Sequence, residues 1–295
     1  MIGSTTPSVI SLAADRRFSD LWDLGETAKL LQYEFVWQAI LALALLGLLG
    51  GVLAPLIVAR QMSFAVHGVS ELSVTGAAAA LLIGFSVNIG GVLGAVIAAG
   101  VFGFLGNKAR ERDSVIGVVM AFGLGLGVLF LALYGRVGTG FALLTGQVVS
   151  VGVQGLTAIA ITTAIVLGVL AVIYRPLLFS SVDPRVAEAQ GVPLKALSIV
   201  FALLMGLACA QGVQIIGALL VMSLMITPGA AAARLSSNPT VVIGLSVVFA
   251  EVAAVGGLLL SLAPKLPVSV FVTTISFVIY LVCRWVGSRR TVVTR

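Results

Sequence analysis

The chain has 295 residues, of which 60% are hydrophobic and 9% are charged. Soluble domains carry about 25% charged residues, so this composition excludes a soluble protein and predicts one that crosses a membrane several times. The net charge of +6 does not indicate a nucleic-acid partner, because the basic residues fall between apolar runs, where they report the orientation of membrane spans.

The first 34 residues form a polar tail that lacks the basic-then-apolar order of a secretory signal. The apolar runs that follow are long enough to cross about 30 Å of hydrocarbon. Backbone groups in lipid must be bonded within the segment, and Gly, Ala and Leu in these runs favour helices over a barrel. The predicted spans are 36–58, 65–87, 88–106, 114–134, 156–175, 194–211, 213–233, 240–263 and 267–286.

We therefore predict an all-α polytopic membrane domain over residues 35–288, followed by a short tail at 289–295. The number of spans is open between eight and nine. A tight turn at residues 88–91 and another at Gln211-Gly212 separate two doubtful pairs of spans. Eight crossings with one re-entrant segment is the alternative to nine crossings.

The basic residues predict the orientation of the spans. Nine crossings place 12 of the 17 Lys and Arg on one face, which the positive-inside rule makes cytoplasmic. The C-terminal tail is then inside and the N-terminal tail outside, in a plasma (inner) membrane. The 12 residues are Arg60, Lys108, Arg110, Arg112, Arg175, Arg185, Lys195, Arg234, Arg284, Arg289, Arg290 and Arg295.

Three pairs of glycines lie four residues apart, at positions 47 and 51, 90 and 94, and 123 and 127. Such pairs allow two helix backbones to approach closely in lipid, and we predict packing contacts there. The alternative is that some of these glycines act as hinges in a gating motion.

Glu71 is the first ionisable residue that falls deep inside a predicted span, roughly 14 Å from its start at 1.5 Å per residue. His67 lies one turn earlier on the same helical face, and Ser70 lies between them. Imidazole and carboxylate groups are ligands for zinc, manganese and iron. We predict a metal site in a translocation pathway, with a structural His–Glu hydrogen bond as the alternative. Two ligands suit a site that must release its ion.

Glu251 is a second intramembrane acid, which either lines the pathway or lies at a packing interface. Cys209 and Cys283 are isolated in apolar runs, which indicates neither a disulfide nor a thiolate metal site. The chain has no GxxxxGK[ST] loop, so we predict that it does not hydrolyse nucleotides itself.

Residues 181–193 are a short polar segment with an Asp-Pro turn between two long apolar runs. A solvated segment of this kind, between membrane spans, is a place where a partner outside the membrane can bind. We predict that the chain works together with such a partner.

Five motifs in order, over about residues 31–286, resemble the membrane subunit of the metal-type ABC importers, the zinc and manganese uptake permeases. They are Tyr33-Glu34-Phe35, Arg60-Gln61-Met62-Ser63, Arg110-Glu111-Arg112-Asp113 with Ile116-Gly117, the segment at 181–193, and Gly217-Ala218-Leu219-Leu220-Val221 with Leu224, Ile226 and Pro228.

This resemblance implies a translocator without bound cofactors, in which ATP is hydrolysed on a separate cytoplasmic subunit. It also implies a second permease subunit, usually an identical one, and an extracytoplasmic protein that delivers the metal. The residues that would engage the ATPase are Ser181, Asp183, Pro184, Ala187, Glu188, Ala189 and Gly191.

The resemblance fails at one place. Where the family reads Gly-Asp-Ala-Leu-Ser-His, this chain has Val66-His67-Gly68-Val69-Ser70-Glu71. The carboxylate and the imidazole are exchanged, which puts the metal preference of the family in doubt. We favour zinc, since manganese prefers oxygen ligands, with manganese or iron as alternatives. The competing hypotheses are an ion-coupled secondary transporter that uses Glu71 and Glu251, and a membrane subunit that does not transport.

Overall fold

The structure is a computed structural model that describes residues 24–104, 109–135, 151–264 and 266–293. Within these ranges the regular structure is entirely helical, which confirms the all-α prediction. The helices are α1 Leu24–Leu30, α2 Glu34–Ala59, α3 Ser63–Leu82, α4 Val87–Phe104, α5 Ala109–Tyr134, α6 Gly152–Val182, α7 Pro184–Ala189, α8 Leu194–Ile216, α9 Ala218–Met225, α10 Thr227–Ala232, α11 Pro239–Leu262 and α12 Val268–Val293.

Eight helices of the described ranges are long and apolar enough to cross a membrane: α2, α3, α4, α5, α6, α8, α11 and α12. Their outward faces keep large apolar side chains exposed, such as Phe122, Val172 and Phe277. Lipid tails cover such faces without a free-energy cost. The chain is therefore a multi-pass membrane protein.

The predicted span at 213–233 is not a single helix, and the predicted break at Gln211-Gly212 is wrong. α8 continues to Ile216 and ends at Gly217, whose φ of +88° is readily adopted only by glycine. The chain then forms α9 and α10, of 8 and 6 residues. At 1.5 Å per residue neither helix alone spans the hydrocarbon. The described residues therefore form eight long helices and one discontinuous segment.

The discontinuous segment runs alongside α2 and in the same direction. A Cβ added at Gly50 would lie 2.9 Å from the carbonyl oxygen of Leu224, and Gly229 lies directly against the backbone of Ala54 and Pro55. The segment therefore returns towards the end of the bundle where α2 meets α3, which we call the Arg60 end.

The last two long helices show at which end of the bundle α12 finishes. α11 runs antiparallel to α2, because Val247 packs on Gly51 while Glu251 packs on Gly47. Near the end of α12, Gly287 packs on the backbone of Arg234, which follows α10 at the Arg60 end. The start of α2 and the end of α12 consequently lie at opposite ends of the bundle.

The turn between α3 and α4 lies at residues 83–86, so its predicted position at 88–91 is wrong. Gly84, with φ of +71°, makes this turn, whereas Gly90 lies inside α4 and packs against α3. A Cβ added at Gly94 would lie 3.0 Å from the Cα of Gly76. Close approach was the function predicted for all three glycine pairs, and it is confirmed, because every member contacts a neighbouring helix.

Candidate functional site

α3 carries His67, Ser70 and Glu71 into the interior of the bundle. The helix starts at Ser63 at the Arg60 end, so Glu71 lies eight residues, or roughly 12 Å, along it. α3 packs on α4, α5, α8 and α9. As a result Ser70 is fully buried and Glu71 is only 5% exposed, while His67 is half-buried.

The polar atoms of this group have few protein partners. Ser70 Oγ donates a hydrogen bond to the carbonyl of Val66, at 2.8 Å. His67 Nδ1 is buried and has no hydrogen-bond partner among the described residues. The carboxylate of Glu71 lies one helical turn beyond this imidazole, on the same face of α3. The arrangement leaves both groups available to an ion.

The described residues supply no group of three or more His, Cys, Asp or Glu side chains that could hold a metal ion together. An ion at the His67–Glu71 pair would therefore keep water molecules in its coordination shell or take ligands from elsewhere. Such incomplete coordination suits transient binding.

The polar side chains deeper along α3 differ, because their hydrogen bonds tie helices together. Thr75 Oγ1 lies 2.9 Å from the carbonyl oxygen of Gly123 on α5. Ser73 Oγ donates to the carbonyl of Gly91 on α4, at 3.0 Å. These contacts fix the position of the helix that carries His67 and Glu71.

The structure does not bring Glu251 together with His67, Ser70 and Glu71, which we call the α3 group. It lies on α11, where its carboxylate oxygen Oε1 would be 3.2 Å from a Cβ added at Gly47 of α2. α11 packs mainly on α2, α10 and α12, whereas α3 packs on other helices. Glu251 thus occupies an interface between two helices, with the small residue Gly47 making room for it.

The predicted partner-binding segment forms the short helix α7, and its local sequence explains why. Asp183 is extended, as expected before a proline, and its Oδ1 accepts hydrogen bonds from the backbone N–H groups of Arg185 (3.0 Å) and Val186 (3.1 Å). Pro184 occupies the first helical position, where its missing N–H costs nothing.

The end of α7 is closed in the same local way. Gly191 has φ of +80°, and its N–H donates to the carbonyl of Glu188 at 2.9 Å. Ala187 is fully buried and anchors the helix, whereas Asp183, Glu188 and most of the other predicted contact residues are exposed. The exposed members also include Pro184, Ala189 and Gly191, and Ser181 is half-buried at the end of α6. α7 therefore presents a formed helical surface to a partner.

The contacts of the Arg60 side chain were not predicted from the sequence, in which this residue indicated only topology and a motif. Arg60 Nη1 donates to Ser180 Oγ (3.1 Å) and Ser181 Oγ (3.2 Å), and Nη2 donates to Ser198 Oγ (2.8 Å). Two of these serines precede α7 and one follows it. The signal in the sequence that could have indicated these contacts was the presence of serines both before and after α7.

Comparisons with known proteins agree with this architecture. Residues 32–287 match the ABC 3 transport family. "Manganese transport system membrane protein MntC" of Halalkalibacterium halodurans is 30% identical over 271 residues, which cover 90% of this chain and 92% of that protein. "High-affinity zinc uptake system membrane protein ZnuB" of Haemophilus influenzae is 26% identical, with 78% and 88% covered.

Among solved structures, the chain resembles "PsaBC from Streptococcus pneumoniae in complex with Fab", with a TM-score of 0.78 over 88% of this chain and 94% of that one. The sequence identity is 23%, so this likeness establishes the fold alone.

Proposed function

Because the chain belongs to the ABC 3 transport family, the permeases of metal-type ABC importers, we propose that it conducts a divalent metal ion past His67 and Glu71. The observation that carries this proposal is the buried Glu71 carboxylate one helical turn from the imidazole of His67, whose Nδ1 is buried without a hydrogen-bond partner among the described residues. Uncompensated buried groups are costly, so a sequence retains them where something else binds them. A metal cation satisfies both groups at once.

The ligand chemistry favours zinc as the cargo. An imidazole nitrogen with a carboxylate oxygen is a common combination for zinc, whereas manganese prefers oxygen ligands alone. The exchange of the two ligand types relative to the family pattern keeps one nitrogen and one oxygen donor in the pathway. Zinc is therefore the first metal to test.

Manganese is the second candidate, and one observation favours it. The relative named for manganese transport is 30% identical over 90% of this chain, while the relative named for zinc uptake is 26% identical over 78%. Since the two values are close, the choice between the metals is a matter for experiment.

The partners follow from the same family membership. A separate ATPase subunit would bind α7, because that helix has formed backbone hydrogen bonds and exposed side chains. The Arg60 end would then face the cytoplasm, with the start of α2 outside, as the positive-inside rule also predicts. A second copy of the permease and an extracytoplasmic metal-binding protein complete the importer that we propose.

In this arrangement the chain performs no chemistry on the metal. ATP binding and hydrolysis on the partner would move α7, and the helices around α3 would alternately open the site to each side of the membrane. His67 and Glu71 would bind the ion in transit, and Ser70 would contribute a hydroxyl oxygen beside them. Release is possible because this chain offers few ligands.

The proposal is tested by measuring cell-associated zinc and manganese with elemental mass spectrometry in a deletion strain grown under chelation. We expect a selective zinc deficit that the wild-type gene restores and an empty vector does not. A selective manganese deficit would retain the transporter and overturn the metal assignment. Unchanged zinc and manganese would contradict the proposal.

A further inference from the structure

The turn that joins α2 to α3 is short and is closed by backbone hydrogen bonds. The backbone N–H of Arg60 donates to the carbonyl of Leu56 (3.0 Å), and that of Met62 donates to Ile57 (2.9 Å). Gln61 between them has φ of +54°, the left-handed conformation that side-chain-bearing residues rarely adopt. Met62 is 3% exposed. These contacts hold Arg60 in a fixed position relative to the start of α3.

The guanidinium of Arg60 reaches from this turn to both ends of the loop that carries α7. Ser180 and Ser181 stand at the end of α6, and Ser198 stands in the first turns of α8. The hydroxyls of Ser180 and Ser181 donate their own protons to the carbonyl of Leu177, at 2.9 and 2.6 Å. Their lone pairs therefore remain available to accept from Arg60.

The ring of Phe201 adds a further contact on α8. The guanidinium carbon of Arg60 lies 5.6 Å from the centroid of this fully buried ring, one turn beyond Ser198. Cation–π attraction and three charge-assisted hydrogen bonds hold the arginine in one position. A lysine could not reproduce this pattern, because it lacks the planar fork of donors.

The contacts of Arg60 connect the loop that carries α7 with the start of α3, which have separate roles in the proposed function. α7 cannot shift as a unit without moving the end of α6 or the start of α8, and Arg60 contacts both. Three residues after Arg60 the chain enters α3, which carries His67 and Glu71. The connection passes through directly bonded groups and one helix, a contiguous route of the kind that can carry coupling between two sites.

We propose that Arg60 is the positioning residue through which movement of the ATPase-binding segment reaches the metal site on α3. The inference rests on the proposed function and adds the route of coupling within it. It requires that the Arg60 contacts control how much metal crosses for each ATP hydrolysed, beyond any contribution they make to folding.

The test is an assay of the complete complex of permease, ATPase and metal-binding protein in proteoliposomes, with zinc and manganese as probes. Uptake and ATP hydrolysis are measured together for wild type and Arg60→Gln. We expect hydrolysis to stay within about twofold while metal transported per ATP falls at least about fivefold, the lower end of typical coupling between linked sites. The matched control is Arg175→Gln, an exposed arginine on α6, which should keep the wild-type ratio.

A second variant guards against a folding defect in Arg60→Gln. The double substitution Ser181→Ala with Ser198→Ala removes acceptors on both sides of α7 and retains the arginine, and it should lower the same ratio. Arg60→Lys should recover only part of it. An unchanged ratio in the serine double variant, or uptake and hydrolysis that fall in proportion, would overturn the inference. The proposed function fails separately, if the wild-type complex takes up neither metal with ATP.

Discussion

The interior of α3 and the exposed helix α7 use polar residues in opposite ways. α7 satisfies its own ends: Asp183 accepts from two backbone N–H groups, and Gly191 closes the last turn. On α3, the Nδ1 atom of His67 is buried without a hydrogen-bond partner among the described residues, and the carboxylate of Glu71 is buried one turn away. Locally satisfied and exposed polar residues suit a protein partner. Buried and unsatisfied ones suit an ion that enters and leaves.

Glu251 makes the comparison sharper, because it is also an acid inside the bundle. It lies between α2 and α11 against Gly47, and neither of these helices is a main neighbour of α3. Burial of an acid alone therefore does not define the site. In the proposed function, the site is marked by an imidazole one turn away from the acid on the same helix.

The largest effect is expected from Glu71→Gln, which keeps the size of the side chain and removes its charge. Cell-associated metal under chelation should fall to the level of the deletion strain, because uptake should drop at least about tenfold, equivalent to about 1.4 kcal/mol of lost ion binding. The measurement is elemental mass spectrometry at matched membrane expression.

Glu251→Gln is the matched control for that variant. It should retain metal uptake within about twofold, or about 0.4 kcal/mol, because α11 is not among the main neighbours of α3. Equal losses in the two variants would show that both acids belong to the pathway and would contradict the distinction drawn between them.

The next effect concerns the packing that holds α3 in place. Gly94→Ala would put a methyl group against the carbonyl of Leu72 and the Cα of Gly76, and overpacking of this kind costs about 1–3 kcal/mol. We expect a lower thermal unfolding midpoint in detergent. Gly125→Ala is the control, since nothing lies within 4 Å of the added Cβ. A stable Gly94→Ala would show that α3 and α4 do not pack as described.

A smaller effect is expected at the cap of α7. Asp183→Ala removes the acceptor for two backbone N–H groups, which costs about 1 kcal/mol of helix stability. Binding of the ATPase subunit should weaken by about fivefold in a titration, because the partner would have to order the helix. Asp183→Asn retains an accepting oxygen and should bind nearly as well as wild type. Equal losses would mean that the carboxylate charge contacts the partner instead.

The smallest effect is expected at Gln61, whose positive φ strains the turn before α3. Gln61→Gly should raise the free energy of unfolding by up to about 1 kcal/mol, because glycine adopts this conformation without steric cost. Thermal unfolding in detergent measures the change. A destabilised variant would show that the side chain of Gln61 contributes more than its backbone strain costs.

The sequence predicted the elements that depend on local chemistry. Apolar length gives the long helices, because hydrocarbon thickness sets the number of residues needed. The Asp-Pro pair and Gly191 define α7 at both ends, since capping involves only neighbouring residues. The burial of Glu71 followed from its position within a span.

The predicted positions of two turns were wrong because glycines serve two purposes in this chain. Gly90 and Gly212 were read as turn residues, but both lie inside helices and pack against neighbours, whereas Gly84 and Gly217 make the turns. A single sequence does not distinguish a glycine chosen for positive φ from one chosen for close approach. The contacts of Arg60 were missed for a related reason, since its partners are 120 to 138 residues away.

The most direct test of the account is uptake of radioactive zinc, and of manganese in parallel, into proteoliposomes that contain the complete complex. The account predicts uptake that requires ATP, persists when the proton gradient is collapsed, and is lost in Glu71→Gln. Uptake that proceeds without ATP and collapses with the proton gradient would contradict it, and would identify the chain as an ion-coupled transporter in which the buried acids carry protons.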